Sequence, residues 1–166
     1  MTYGRLVPDA DGASLLFERF LPHPRARVWA ALTDPEQRAA WFFAGVLEPR
    51  VGGRVDLEDS GPGVHGQVVA VEPEVLLTFT WDSEDGPDSS VSFALSDAPG
   101  GTVLRFTHRI DDRCRPENLL PGWHAIFDDL GPYLDDGQVV EHPGRHAQLL
   151  ADYAQRAGGV PGSAPA

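Results

Sequence analysis

Apolar positions along this chain change their period several times, and each change marks an element. Ala13 to Leu21 mixes apolar and charged residues in extended style and stops at Pro22 and Pro24, which predicts a first strand followed by a break. From Pro24 onward Val28, Trp29 and Leu32 recur at helical spacing, with the proline in a first-turn position where its missing N–H does no harm. This helix is expected to end near Thr33. Asp34-Pro35-Glu36-Gln37 then reads as a new start, with Asp34 as cap and Pro35 as first helical residue, and a short second helix runs to about Trp41.

Short extended runs punctuated by turn residues follow: Val46 to Arg50, Arg54 to Glu58, Val64 to Glu72, Val75 to Trp81, Val91 to Ser96 and Thr102 to Arg109. Between them stand Gly52-Gly53, Ser60-Gly61-Pro62-Gly63, Pro73-Glu74, the polar loop Asp82 to Ser89 and Pro99-Gly100-Gly101, the punctuation of an antiparallel meander. Alternation puts Leu77, Phe79 and Trp81 on one strand face, as it does Val91, Phe93 and Leu95, and again Leu104, Phe106 and His108. Asp111 to Pro121 reads as a charged loop.

Gly122 to Leu134 is helical, with Trp123, Ile126, Phe127, Leu130, Tyr133 and Leu134 on one broad face; Gly131-Pro132 is expected to kink or split it. A face so rich in rings needs an apolar partner, and the concave side of the sheet is the large candidate. Matched aromatic rows either fill a core or leave a gap between sheet and helix, and the pattern is compatible with both. A further helix is expected from Pro143, with Ala147, Leu149, Leu150, Tyr153 and Ala154, packing on the domain or on a partner. From Gly158 the small, proline- and glycine-rich residues read as a disordered tail.

Composition narrows the function classes. At 166 residues the chain suits one domain with a sizeable core. Its net charge is −12, from 25 acidic and 13 basic residues, and all the basic ones are arginine. Such a surface repels phosphate backbones and anionic bilayers, and no basic cluster is denser than Arg25 and Arg27, so nucleic acid is not the expected partner. No stretch approaches the roughly 20 apolar residues of a membrane span, and no apolar run with a basic flank opens the chain; membrane insertion is not expected and cytoplasmic residence is the default. Cys114 is the single cysteine, which excludes an internal disulfide and a cysteine-based zinc site and leaves a loop cysteine without a role as the plain reading.

The run Pro24-Arg25-Ala26-Arg27-Val28-Trp29-Ala30-Ala31-Leu32-Thr33-Asp34-Pro35, followed by Trp41 and Phe42, resembles the SRPBCC superfamily, the START and birch-pollen-allergen-like proteins. Gly52-Gly53-Arg54, Gly66 with Val69 and Pro73, Leu77-Thr78-Phe79-Thr80-Trp81, Thr107-His108 and Gly122-Trp123 narrow the likeness to the subgroup named after the activator of heat-shock-protein ATPase. The likeness runs from about residue 13 to 137. It implies an α+β helix-grip fold: a curved antiparallel sheet, two small helices between its first two strands, and a long C-terminal helix across the concave face, enclosing a cavity. It also favours a partly open cavity over a filled core and suggests a stress-response role. Residues 1–137 then form the START-like domain, 138–157 an additional helical segment without a family account, and 158–166 the tail.

On this reading the expected function is non-catalytic binding of a small hydrophobic or amphipathic molecule. Trp41, Phe43, His65, Phe79, Trp81, Phe93, Phe106, His108, Trp123 and Phe127 are the candidate ligand-binding residues. A second reading is a cyclase- or hydrolase-like enzyme on an aromatic substrate with His108 as acid–base residue, since a neutral imidazole in an apolar pocket serves that role. No second group at fixed spacing completes a pair with it, so no catalytic residue is assigned. A third is an interaction module with a chaperone partner or a homodimer. No cofactor is expected. His142 and His146 are spaced like two metal ligands, but Pro143-Gly144 between them signals a helix start, and the acidic loop Asp82, Glu84, Asp85 and Asp88 misses calcium-loop spacing, so no metal is expected either.

Overall fold

The computed structural model describes residues 3–10, 12–58, 63–82, 89–111, 116–140 and 142–158, the side chains of 116–118 and 158 excepted. Cys114, the acidic residues Glu84, Asp85 and Asp88, and the tail beyond residue 158 lie outside them. Strands β1 (Arg5–Asp9) and β2 (Gly12–Leu21) lead into helices α1 (Arg25–Thr33) and α2 (Pro35–Trp41). Six strands follow: β3 (Ala44–Leu47), β4 (Arg54–Glu58), β5 (Val64–Glu72), β6 (Leu76–Thr80), β7 (Ser90–Ala98) and β8 (Gly101–Asp111). Helices α3 (Pro116–Asp136) and α4 (Arg145–Gly158) close the chain.

The strands form one curved sheet in the order β1-β2-β8-β7-β6-β5-β4-β3 with antiparallel neighbours throughout. Strands β3 to β8 are sequential neighbours, and β2 pairs with β8, while α1 and α2 fill the connection from β2 to β3 at the far edge of the sheet. The α1–α2 junction forms as its sequence prescribes: the Asp34 carboxylate accepts from the Gln37 N–H at 3.0 Å and Pro35 opens α2. This is the α+β helix-grip architecture expected from the sequence.

Three details differ from expectation. Strand β1 is an added edge: all five of its residues are exposed, so no buried alternation announced it, and Pro8 sits where an edge strand tolerates it. The stretch read as a charged loop already contains the first turns of α3, which begins at Pro116. Moreover, α3 is one helix of 21 residues that runs through Pro121 and Pro132 instead of splitting. An interior proline costs a helix about 3 kcal/mol. Burial of Leu130, Tyr133 and Leu134 around Pro132 offsets that loss and holds the last turns on the core.

One apolar core lies between the concave face and the helices. Alternation sends Val91, Phe93 and Leu95 of β7 and Leu104, Phe106, His108 and Ile110 of β8 into it, while Ser90, Ser92, Thr107 and Arg109 face outward. No helix among the described residues is long and apolar enough to cross a membrane.

Candidate functional site between the sheet and helix α3

The rings that alternation placed on one face meet those of α3 at the centre of the interface. Phe106 lies 4.2 Å from Trp123 and 5.1 Å from Phe127, ring centre to ring centre, and 5.0 Å from Phe93 on the next strand. Phe93 and Phe79 stack at 6.2 Å, which carries the row onto β6. All five are buried, so the middle of the space between sheet and helix is occupied by interlocking side chains.

Through this apolar centre runs one hydrogen-bonded chain. The Trp123 indole N–H donates to His108 Nδ1 at 2.9 Å. Because an indole nitrogen only donates, Nδ1 must be the accepting nitrogen, and the neutral ring therefore carries its proton on Nε2. That proton points to Ser89 Oγ at 3.2 Å, and the Ser89 hydroxyl donates to the Trp81 carbonyl at 2.7 Å. Burial pushes the His108 imidazole down to about 4 from its ordinary 6.5, so it is neutral at physiological pH. Both nitrogens are committed to protein partners. A general base needs a free lone pair aimed at substrate, and this imidazole offers none; its geometry fits a clamp joining α3 to the β6–β7 end of the sheet.

The two ends of the interface differ. Toward the α2–β3 turn, Phe42, Phe43 and Trp81 are only partly buried, yet they join the central stack. Phe43 is 4.5 Å from Phe42 and 5.9 Å from Trp81, and Trp81 is 5.1 Å from Trp123. Toward the other end, α4 and the N-terminal residues cover the rings. The Gly4 N–H donates to Tyr153 Oη at 2.8 Å, and Tyr153 Oη lies 2.9 Å from His124 Nδ1. His124 is fully buried with Nε2 3.5 Å from Asp128, whose carboxylate also receives Arg145 Nε at 3.0 Å. These bonds hold Asp128 below the usual carboxylate range despite the opposing effect of its partial burial, which acts most strongly.

Of the ten candidates named from the sequence, seven lie in the buried part of this assembly: Trp41, Phe79, Phe93, Phe106, His108, Trp123 and Phe127. Phe43 and Trp81 stand at its partly exposed end. His65 is elsewhere: it points to the opposite face of the sheet, is exposed, and pairs with Asp56 at 3.0 Å. Alternation could have foretold this, since buried Val64 and Val68 straddle it in phase with the other face. Two participants are not among those ten. Phe42 was hidden in the run Trp41-Phe42-Phe43, where a helix ends and periodicity stops, and Ser89 was hidden because its role comes only from the pairing of β6 with the segment before β7. Among the described residues no group of three or more His, Cys, Asp or Glu is gathered to hold a metal ion.

The family model for activator of Hsp90 ATPase homolog 1-like proteins matches residues 22–135, which spans α1 through nearly all of α3. The chain belongs to this family. Solved structures share the fold of this Hsp90 ATPase activator homolog-like chain over most of its length. CalU16 from Micromonospora echinospora is 25% identical with a TM-score of 0.72, covering 93% of this chain and 94% of that one. BPP1335 from Bordetella parapertussis is 30% identical with a TM-score of 0.70, covering 94% and 93%. DynU16, a protein of the dynemicin biosynthetic locus, is 26% identical with a TM-score of 0.72 over 81% of this chain, which spans 51% of DynU16. A search of curated proteins finds no match. The family model stops short of α4, the segment that seals the second end.

Proposed function

We propose that the protein binds a small, neutral, apolar or aromatic molecule at the partly exposed end of the sheet–helix interface, against Phe43, Trp81 and Trp123. The observation that carries this reading is a group of rings left partly open to solvent yet continuous with the buried stack. Exposed single rings are ordinary, but adjoining rings rimming a concave interface form the kind of surface that small ligands use. The committed hydrogen bonds of His108 and Trp123 support a ligand held by contact with ring faces, and they count against acid–base chemistry at His108. Kinship of fold with a protein of the dynemicin biosynthetic locus supports a small-molecule context. The test is a calorimetric screen of neutral aromatic compounds, toluene among them, with Trp81→Ala as control. Saturable one-to-one binding that Trp81→Ala weakens by roughly tenfold or more is expected; absence of saturable binding across the panel would reject the reading.

A further inference from the structure

At the partly exposed end the Phe42 ring is surrounded by others, the adjacent Phe43 ring at 4.5 Å among them. Phe42 stands directly after α2, and its ring lies 5.5 Å from Trp41, 5.7 Å from Trp123, and 6.3 Å from each of Trp81 and Phe93. Those four neighbours come from α2, α3, the end of β6 and β7. Three lie within 32° of parallel to the Phe42 ring and Phe93 meets it at 70°, so the side chain sits in a slot walled by aromatic rings. The slot has little polar about it. Trp123 Nε1 is spent on His108 and Trp41 Nε1 donates to the Ala31 carbonyl at 3.0 Å.

Phe42 differs from its deepest neighbours in one respect: Trp41, Phe93 and Trp123 are at most 4% exposed, whereas Phe42 is only partly buried. Part of its ring already faces solvent. The backbone around it is anchored independently of the ring. Arg38, itself buried, donates from Nε to the Phe43 carbonyl at 3.1 Å and from Nη2 to the Gly45 carbonyl at 2.5 Å, and the Phe42 N–H donates to the Arg38 carbonyl at 2.9 Å. Gly45 completes the anchor, since its φ of +99° and the Asp56 carbonyl 2.3 Å from where a Cβ would stand admit only glycine. The turn is therefore held by contacts that do not involve the Phe42 ring.

Resting on the ligand-binding reading above, the geometry points to Phe42 as the resident occupant of the ligand's place: its phenyl ring fills a slot for one neutral six-membered aromatic ring, and a ligand enters by displacing it. The ligand class follows from the walls, which offer ring faces to an uncharged benzenoid group and no free donor from Trp41 or Trp123. Displacement lowers apparent affinity in proportion to the fraction of time the slot is free, so removing the occupant raises it.

The test is toluene titration of the full chain by calorimetry and by NMR with labelled phenylalanine rings. In the wild-type protein, the Phe42 ring signals are expected to lose their ring-current shifts and approach solvent-exposed values as toluene saturates. Phe42→Ala is expected to bind toluene roughly tenfold more tightly than wild type. Phe42→Leu, which keeps apolar bulk where alanine fails to fold, is expected to tighten binding by less. Toluene binding that leaves the Phe42 ring signals unmoved, or that weakens in the folded Phe42 variants, overturns the displacement and leaves the binding site standing. If neither wild type nor the variants bind toluene or other neutral aromatics, both proposals fall together.

Discussion

At the end of the interface that holds Phe17 and Phe127, α4 and the N-terminal residues cover the rings with hydrogen bonds between them, whereas at the end that holds Phe42 and Phe43 the rings stand partly exposed over a hydrogen-bonded turn. In the first region Gly4 lies so close to the Phe17 ring that a Cβ would stand 2.2 Å from it, and Tyr153 of α4 ties the Gly4 amide to His124 of α3. Opening it would break these hydrogen bonds, each a net loss of about 0.5–1.5 kcal/mol. In the second region the side chains that face solvent are the partly exposed rings of Phe42, Phe43 and Trp81. The two ends of the interface therefore differ: one is tied by hydrogen bonds to α4 and the N-terminal residues, and the other is the end at which ligand binding is proposed.

Substitutions can break this contrast. The largest effect is expected where the ends meet, because Phe106 touches Phe93, Trp123 and Phe127 from a fully buried position; Phe106→Ala should cost about 3–5 kcal/mol in chemical denaturation. A loss below about 1 kcal/mol would mean that the stack is not a packed core.

The clamp at His108 predicts a pH dependence. The unfolded chain takes up a proton near 6.5, while the folded protein resists it until about 4. The stabilisation is thus complete above 6.5 and is lost as pH falls through the interval to 4. It amounts to something on the order of 3 kcal/mol. His108→Phe should lack this part of the acid limb, and unchanged acid profiles in the two proteins would contradict the buried neutral imidazole.

Smaller effects separate the two ends directly. Tyr153→Phe removes the hydroxyl between Gly4 and His124 and should cost about 1–3 kcal/mol while leaving toluene affinity unchanged. Phe43→Ala, at a partly exposed site, should cost only about 1 kcal/mol of stability yet lower toluene affinity several-fold. The reverse pattern would exchange the roles assigned to the ends.

Much of the architecture was legible because local chemistry and global packing agree. The Asp34 cap, the alternation along β6 to β8 and the aromatic face of α3 each carry a short-range signal that the fold then uses. What escaped is set by tertiary context. Strand β1 has no buried face to signal it, and burial of Leu130, Tyr133 and Leu134 overrides the break that Pro132 signals in α3. At the site, alternation found the rings but could not tell that the centre would be filled, that the His108 lone pair would be taken by an indole on α3, or that Phe42 would turn inward beside Trp41. Those facts depend on contacts between residues far apart in the chain or beyond the reach of any period. The five residues from Arg38 to Phe42 run across the end of α2, beyond which the helical period no longer applies.

The most direct measurement is the location of a bound aromatic by intermolecular NOEs. In a toluene-saturated sample, contacts from the toluene methyl and ring protons to the indole protons of Trp81 and Trp123 are predicted, with none to Tyr153 or Leu149 of α4. Contacts confined to α4, or none with either tryptophan, would contradict a ligand site at the α2–β3 end of the interface.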